Sequence, residues 1–347
     1  MEEPKQENSS IQLPPRPRNR DDFDIAIICV LPKEASAVLS VLDKAWDKNK
    51  YKYGRVSNDP NSYTAGVISS HNVVIAHPLR MGKANAAIVA SAYTMSFQNV
   101  KLALVVSICG SVPQHPDNNK EILLGDIVIS KGIIQYDFGR QFPDQFKQKI
   151  SIEDLLGRPN AEVGSLLAKL ETKYHRTVFE AKISESLDGL QQEVPLYPGG
   201  QNDKLFAPAY CHKHKNSKCQ ACCKSQEGMD FTCEDAIEST CDELQCNKDD
   251  HQVIPRARHN QKNKPFVHIG LIAFGDTVMK SGVFRDSIAR EMKVIAFKME
   301  GTGVWDMFPG VIIIKGVCNY ADSHKSKIWQ SYAAATSVAC MKAFLRH

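Results

Sequence analysis

The chain has 347 residues, 43% of them hydrophobic and 24% charged, which is enough apolar material to bury a large core and excludes global disorder. Its 43 Lys and Arg against 39 Asp and Glu leave +4, without the concentrated basic field of a nucleic-acid reader; small polyanions remain candidate partners. No apolar run reaches the ~20 residues of a membrane-spanning helix, and the opening MEEPKQENSSIQLPPRPRNR lacks an apolar signal core. The expectation is a soluble, cytoplasmic protein with no nucleic-acid and no membrane partner.

Residues 1–21 combine Pro14, Pro15 and Pro17 with alternating charges and predict a flexible tail. A domain is expected over 22–347. Residues 25–30 read as a buried strand, followed by a loop through Pro32 and a helix with Val38, Leu39 and Leu42 inward. Two β-rich runs, 62–68 and 73–78, flank the turn Ser69-Ser70-His71-Asn72. Gly82 opens an alanine-rich helix to about Phe97, an apolar strand is expected at 102–108, and a further strand follows the turn Gly125-Asp126 at 127–134.

From about 145 to 264 the chain turns polar, with short helical pieces such as 163–170. The alternation resumes with a strand at 267–273, a helix near 283–292, strands at 294–297 and 311–317, and a final helix at 327–344. Strands apolar on both faces, alternating with helices, predict an α/β fold with a mixed, mostly parallel central sheet flanked by helices. Neither α/β portion completes a sheet alone, so the polar stretch reads as a long cysteine-rich insertion in one domain.

Ligands of open α/β sheets bind beyond the carboxyl ends of the strands. Several reactive groups fall there: Glu34, Arg80 and Lys83, Cys109-Gly110, Gly275-Asp276, Glu300, and Asn319 with Asp322. Taken singly, each has a plainer reading. Glu34 fits a first-turn helix carboxylate, and Asp322-Ser323 fits an N-cap of the last helix.

In that order and at those strand ends, Ala296-Phe297-Lys298-Met299-Glu300-Gly301, Gly275-Asp276-Thr277 and Cys318-Asn319-Tyr320-Ala321-Asp322 resemble the nucleoside phosphorylase superfamily, most of all its methylthioadenosine/S-adenosylhomocysteine nucleosidase branch. The strings IICVLPKEA, GDIVISKGIIQYDFGRQ, GDTVMKSG, MEGTGVWD and YADSHKSKIWQSYAAAT are similar to the nucleoside-phosphorylase-like domains at the front of fungal multidomain proteins with NACHT, ankyrin or TPR modules. The resemblance covers about 22–145 and 264–346. It implies cleavage of a purine N-glycosidic bond, a reaction that builds positive charge on the ribose and negative charge on the base.

Under that resemblance Glu34 is the general base for an attacking water, Glu300 holds the ribose hydroxyls and Met299 packs on the sugar. Cys109, Gly110, Val278, Met279 and Phe138 line the base pocket; for Met299 and Phe138, core packing is the rival reading. Val30-Leu31-Pro32-Lys33-Glu34 stands where phosphorylases carry a Gly-rich, Arg-bearing loop, which favours hydrolysis over phosphorolysis. Arg80, Lys83, Arg140 and Lys280 would supply cations for a 5′-phosphorylated substrate, ATP among them, and the helix opened by Gly82 would offer N–H groups. A solvated surface is the plain alternative for each cation. A homodimer is implied, with no cofactor for catalysis.

Two positions depart from the family. Asn319 occupies the place of the catalytic aspartate, so it can donate a hydrogen bond to the purine but not a proton. An engineered trap, a natural asparagine like that of the trimeric phosphorylases, or a binding-only nucleotide-sensing module would each account for it. Lys298 replaces a usual glutamate and either faces outward or adds a cation.

Seven of the 11 cysteines crowd between Cys211 and Cys246. The pairs Cys219/Cys222 and Cys241/Cys246, with His212, His214, Cys211, Cys223 and Cys233 nearby, suggest one structural zinc site, against disulfides as the rival.

Overall fold

The computed structural model describes residues 13–46, 53–77, 82–144, 146–149, 159–190, 197–215, 219–223, 232–248, 250–256, 264–299 and 302–346. The first half builds β1 (Ile25–Ile28), α1 (Pro32–Ser40), β2 (Lys44–Ala45), β3 (Ser62–Ile68), β4 (His71–His77), α2 (Lys83–Ser96), β5 (Leu102–Ser111) and β6 (Ile127–Gln135). A small hairpin, β7 (Gly139–Gln141) and β8 (Phe146–Gln148), precedes α3 (Ala161–Glu171) and α4 (Lys173–Leu190). The cysteine-rich segment holds β9 (Leu205–Phe206), α5 (Gln220–Cys223), α6 (Glu234–Glu238) and β10 (Val253–Ile254). The chain then returns to β11 (Val267–Phe274), α7 (Gly282–Met292), β12 (Val294–Lys298), α8 (Thr302–Trp305), β13 (Gly310–Asn319) and α9 (Gln330–Leu345).

One 9-stranded sheet runs β12-β11-β6-β13-β5-β1-β4-β3-β2. Pairing is parallel at β12/β11, β11/β6, β13/β5, β5/β1 and β1/β4, and antiparallel at β6/β13, β4/β3 and β3/β2. The expected mixed, mostly parallel sheet is therefore present. The edge strand β12 also curls back to pair antiparallel with the end of β5, Phe297 opposite Gly110. That closure gathers the carboxyl ends of β5, β12 and β13 into one corner.

Side chains alternate between two cores, one on each face. Ala26, Ile28 and Val105 point into the first, with Tyr93 and Phe97 of the α2 side and Trp305 of α8. Ile25, Ile27 and Val106 point into the second, which receives α1, α3, α4 and α9. Helix α9 reaches β13 only because position 316 is glycine: a Cβ there would stand 1.8 Å from the Ala333 carbonyl oxygen.

Four local expectations change. Of the expected flexible tail, residues 1–12 lie outside the described residues, while 13–21 pack on the domain: Pro17 is buried, its carbonyl accepts from the Tyr53 hydroxyl at 3.1 Å, and the Pro15 carbonyl accepts from Asn72 Nδ2 at 3.0 Å. The turn between the β-rich runs is Ser69-Ser70 alone, since Ser69 at φ +57° reverses the chain in two residues and leaves His71 and Asn72 in β4. Helix α1 stops at Ser40, ahead of Leu42, and Leu39 is exposed on its outer face. The last helix begins at Gln330 with Trp329 as its N-cap, so Asp322 does not cap it.

Candidate active site

The chain leaves β1 through Val30 and Leu31 and enters α1 at Pro32, which puts Glu34 at the third helical position, able to reach back to the helix entry. Its Oε2 accepts from the Val30 N–H at 3.0 Å and the Leu31 N–H at 2.8 Å, and its Oε1 from the Ile108 N–H of β5 at 3.0 Å. Glu34 is 1% exposed. It is thus both a helix-entry carboxylate and a strand-end group, and it ties β1 to β5. A carboxylate offers about four lone-pair sites, and among the described residues these three donors leave one of them, on Oε1, unused.

Across β5, Gly110 pairs with Asn319 on one side and with Phe297 on the other. A Cβ on Gly110 would lie 2.7 Å from Asn319 Oδ1 and 3.0 Å from Ala321 Cβ, so glycine admits the carboxamide here. Asn319 Oδ1 accepts from the Ala321 N–H at 2.9 Å, and Nδ2 donates to Cys318 Sγ at 3.2 Å. The first bond holds Ala321 at φ +53°, a left-handed conformation costly for a residue with a Cβ.

The Cys318 thiol shows what converges on this corner. Burial pushes its pKa up; Lys298, Lys325 and the Asn319 hydrogen bond pull it down, and Glu34 adds to the rise. Asn319 thus touches this sulfur, and the charges of Lys298, Lys325 and Glu34 act on it. Neighbouring Cys109 is buried, and that burial pushes its thiol up to about 12, with Lys315 and Lys298 opposing. Burial lowers Lys325 to about 8; Cys318 and Asp322 oppose that shift, while Lys280 and Lys298 deepen it. Lys298, placed by sequence on either face, is half-buried, and its charge acts on both Cys109 and Cys318.

Lys325 went unread in the sequence because a lysine in the polar run Ser323-His324-Lys325-Ser326 looks solvated. Lys315 was missed for the opposite reason. It is fully buried in an apolar strand and donates to Ser107 Oγ.

Met279 is buried, Val278 is 48% exposed and Lys280 is exposed after β11. Tyr136 bridges β6 to that segment, its hydroxyl donating to the Thr277 carbonyl at 2.6 Å, while the Asp276 N–H donates to Asp137 Oδ2 at 2.7 Å. Phe138 is 42% exposed with Lys149 Nζ 5.1 Å from its ring centroid, and Arg140 is exposed on β7. Met299 follows β12 directly and is half-buried, and Lys83 opens α2 behind its N-cap Gly82. Arg80 and Glu300 lie outside the described residues. A separate cleft between β6, β11 and α3, lined by Ile133, Leu167 and Gly270 among others, holds none of these groups.

The single four-cysteine metal site expected from the sequence divides in two. Cys219 and Cys222 gather with His214 and Cys233, whereas Cys241 and Cys246 gather with His212. Spacing along the chain paired the cysteines correctly but gave no sign that histidines and Cys233 would separate the pairs. Among the described residues no helix is long and apolar enough to cross a membrane.

The sequence model of the phosphorylase superfamily matches residues 24–307. A nucleotide-binding leucine-rich repeat (NLR)-like protein of Hyaloscypha variabilis is 29% identical over 332 residues, covering 94% of this chain and 29% of its own length. The chain thus spans less than a third of that relative. Among solved structures, the Helicobacter pylori methylthioadenosine nucleosidase, captured as an Asp-to-Asn variant with 5′-methylthioadenosine in its active site, aligns with a TM-score of 0.53 at 13% identity, covering 93% of this chain and 98% of that one. The H. pylori futalosine hydrolase aligns at 0.52 with 14% identity, covering 94% and 98%. The Streptococcus pneumoniae methylthioadenosine/S-adenosylhomocysteine nucleosidase in complex with 8-aminoadenine aligns at 0.51 with 18% identity, covering 93% and 99%. At these identities the likeness is one of fold.

Proposed function

Since the chain belongs to the phosphorylase superfamily, we propose that it binds a purine nucleoside or nucleotide at the joined ends of β1, β5, β12 and β13 and is built to hydrolyse the base–ribose bond. Asn319 keeps turnover of this sequence low. The observation that carries the reading is the convergence of Glu34, Gly110 and Asn319 through the β1/β5/β13 register and the Glu34–Ile108 bond.

In this reading water attacks the anomeric carbon while the open lone pair of Glu34 Oε1 takes its proton. The C1′–N9 bond breaks with its electron pair moving to the purine, which needs a proton at N7. An aspartic acid at 319 would deliver it; the amide offers only a hydrogen bond. Met299 and Glu300 would hold the ribose, and Cys109, Gly110, Val278, Met279 and Phe138 the base. Arg80, Lys83, Arg140 and Lys280 would meet 5′-phosphates, joined by Lys298 and Lys325. No cofactor enters the reaction. The cytoplasm is the proposed compartment, a homodimer the assembly, and the NLR-like relative supports an immune-type setting for the domain.

The Lys280, Lys298 and Lys325 cluster favours a second reading, phosphorolysis, because inorganic phosphate would find cations there. A silent nucleotide-sensing module is the third. Chromatography of adenosine and ATP digests in phosphate-free and phosphate-containing buffer separates these readings. Hydrolysis predicts slow adenine release at the same rate in both buffers. Adenine release only with phosphate, accompanied by ribose 1-phosphate, would replace hydrolysis with phosphorolysis.

A further inference from the structure

We propose that the cysteine-rich segment binds two zinc ions, and that the second is completed by His324, so that it fastens this segment to the loop following Asn319. This inference stands independently of the reaction proposed above.

Geometry argues for the first ion. Zinc–sulfur bonds of about 2.3 Å and zinc–nitrogen bonds of about 2.0–2.1 Å at tetrahedral angles place ligand sulfurs about 3.8 Å apart and sulfur and nitrogen about 3.6 Å apart. Cys219 and Cys233 sulfurs are 3.8 Å apart, Cys222 and Cys233 3.6 Å. His214 Nδ1 stands 3.7 Å from Cys222 Sγ and 3.5 Å from Cys233 Sγ. Those four distances match edges of a ligand tetrahedron of three thiolates and one imidazole, and all four ligand atoms lie within 4.8 Å of one another. A disulfide needs about 2.05 Å, and none of these pairs approaches it.

The second group has the same dimensions, with His212 Nδ1 3.7 Å from Cys241 Sγ and 3.4 Å from Cys246 Sγ. The other ring nitrogen of His212 faces the Ser239 carbonyl at 2.9 Å, which fixes the tautomer that leaves Nδ1 free to ligate. Two thiolates and one imidazole leave a fourth position. His324 packs against His212, its ring edge-on with centroids 5.5 Å apart and stacked on Phe206 at 3.9 Å; its nitrogens lie outside the 4.8 Å within which the other three ligand atoms gather, so coordination turns its ring inward. It is 8% exposed, and both its ring nitrogens are buried without a hydrogen-bond partner among the described residues. Burying an imidazole with neither nitrogen satisfied is costly. Coordination removes that cost.

The placement also explains how a polar segment with a small core, Phe206, Cys222, Ala236, Leu244 and Cys246, can be ordered. The His212 N–H donates to Ser323 Oγ at 3.0 Å, so the segment already touches the strand-end loop next to His324. A zinc ion held by His212, Cys241, Cys246 and His324 would make that contact a crosslink five residues from Asn319.

The test is metal analysis of the full chain purified without chelator. Two zinc ions per chain are expected, falling to one in Cys222→Ser and to one in Cys246→Ser. In His324→Ala the weaker-held ion should leave at a chelator concentration at least ~10-fold lower, as loss of a ligand should cost no less than loss of a supporting contact. A second measurement needs no variant: cysteine alkylation read by mass spectrometry. Cys219, Cys222, Cys233, Cys241 and Cys246 should resist labelling until chelator is added. Fewer than two zinc ions, labelling of these five without chelator, or their recovery as disulfides overturns the two-site proposal. A His324→Ala chain that loses both ions at the unaltered chelator concentration overturns the role of His324.

Discussion

Exchanging Asn319 for aspartate is expected to raise the rate of purine release by about 10²–10⁴-fold, the usual worth of a positioned general acid. The two side chains have nearly the same shape, and the Asx turn can persist: an aspartate oxygen can accept from the Ala321 N–H as Asn319 Oδ1 does at 2.9 Å. The other oxygen then takes the place of Nδ2, now 3.2 Å from Cys318 Sγ, a thiol on which the charges of Glu34, Lys298 and Lys325 also act. Purine release followed by chromatography checks the gain. Asn319→Ala separates the acid from the turn: it removes the acceptor that holds Ala321 at φ +53° and should gain nothing. An Asp chain no faster than the Asn chain, with nucleoside still bound, would favour a sensing module.

Glu34→Gln should act on two quantities at once. In the Asn319→Asp background it should lower turnover by about 10²–10⁴-fold, because an amide cannot take the proton of the attacking water. It should also destabilise the fold. Three backbone N–H groups converge on the carboxylate, those of Val30, Leu31 and Ile108, and the amide presents an NH₂ to at least one of them. A buried donor left without an acceptor costs about 1–3 kcal/mol. Urea denaturation measures that part, and initial rates at a temperature where both chains are folded measure the other. A chain that loses stability but keeps its turnover would reduce Glu34 to a clamp between β1 and β5.

Much of the architecture was legible because the physics that forms it is local. Strands β1, β5, β11 and β13 announced themselves as largely apolar runs, the pattern of a sheet covered on both sides. Helix α4 was less visible, since Phe179, Ile183, Leu187 and Leu190 keep helical spacing but are diluted by charged neighbours that face solvent. Pairing of β12 with β5 has no local signal at all, and it is this pairing that brings Phe297 opposite Gly110. The candidate site divides the same way. Glu34, Gly110 and Asn319 were named from their places at strand ends, and the sheet joins them. The burial that makes Lys325 and His324 unusual depends on what folds over them, which a reading of neighbours along the chain does not reach.

A crystal structure of the chain soaked with adenosine tests most directly whether one bound nucleoside spans Glu34 and Asn319. The account predicts an intact nucleoside with purine N7 within hydrogen-bond reach of Asn319 Nδ2 and the anomeric carbon turned toward Glu34 Oε1. A nucleoside seated elsewhere, such as the cleft beneath α3, with this corner left filled by solvent, would contradict it.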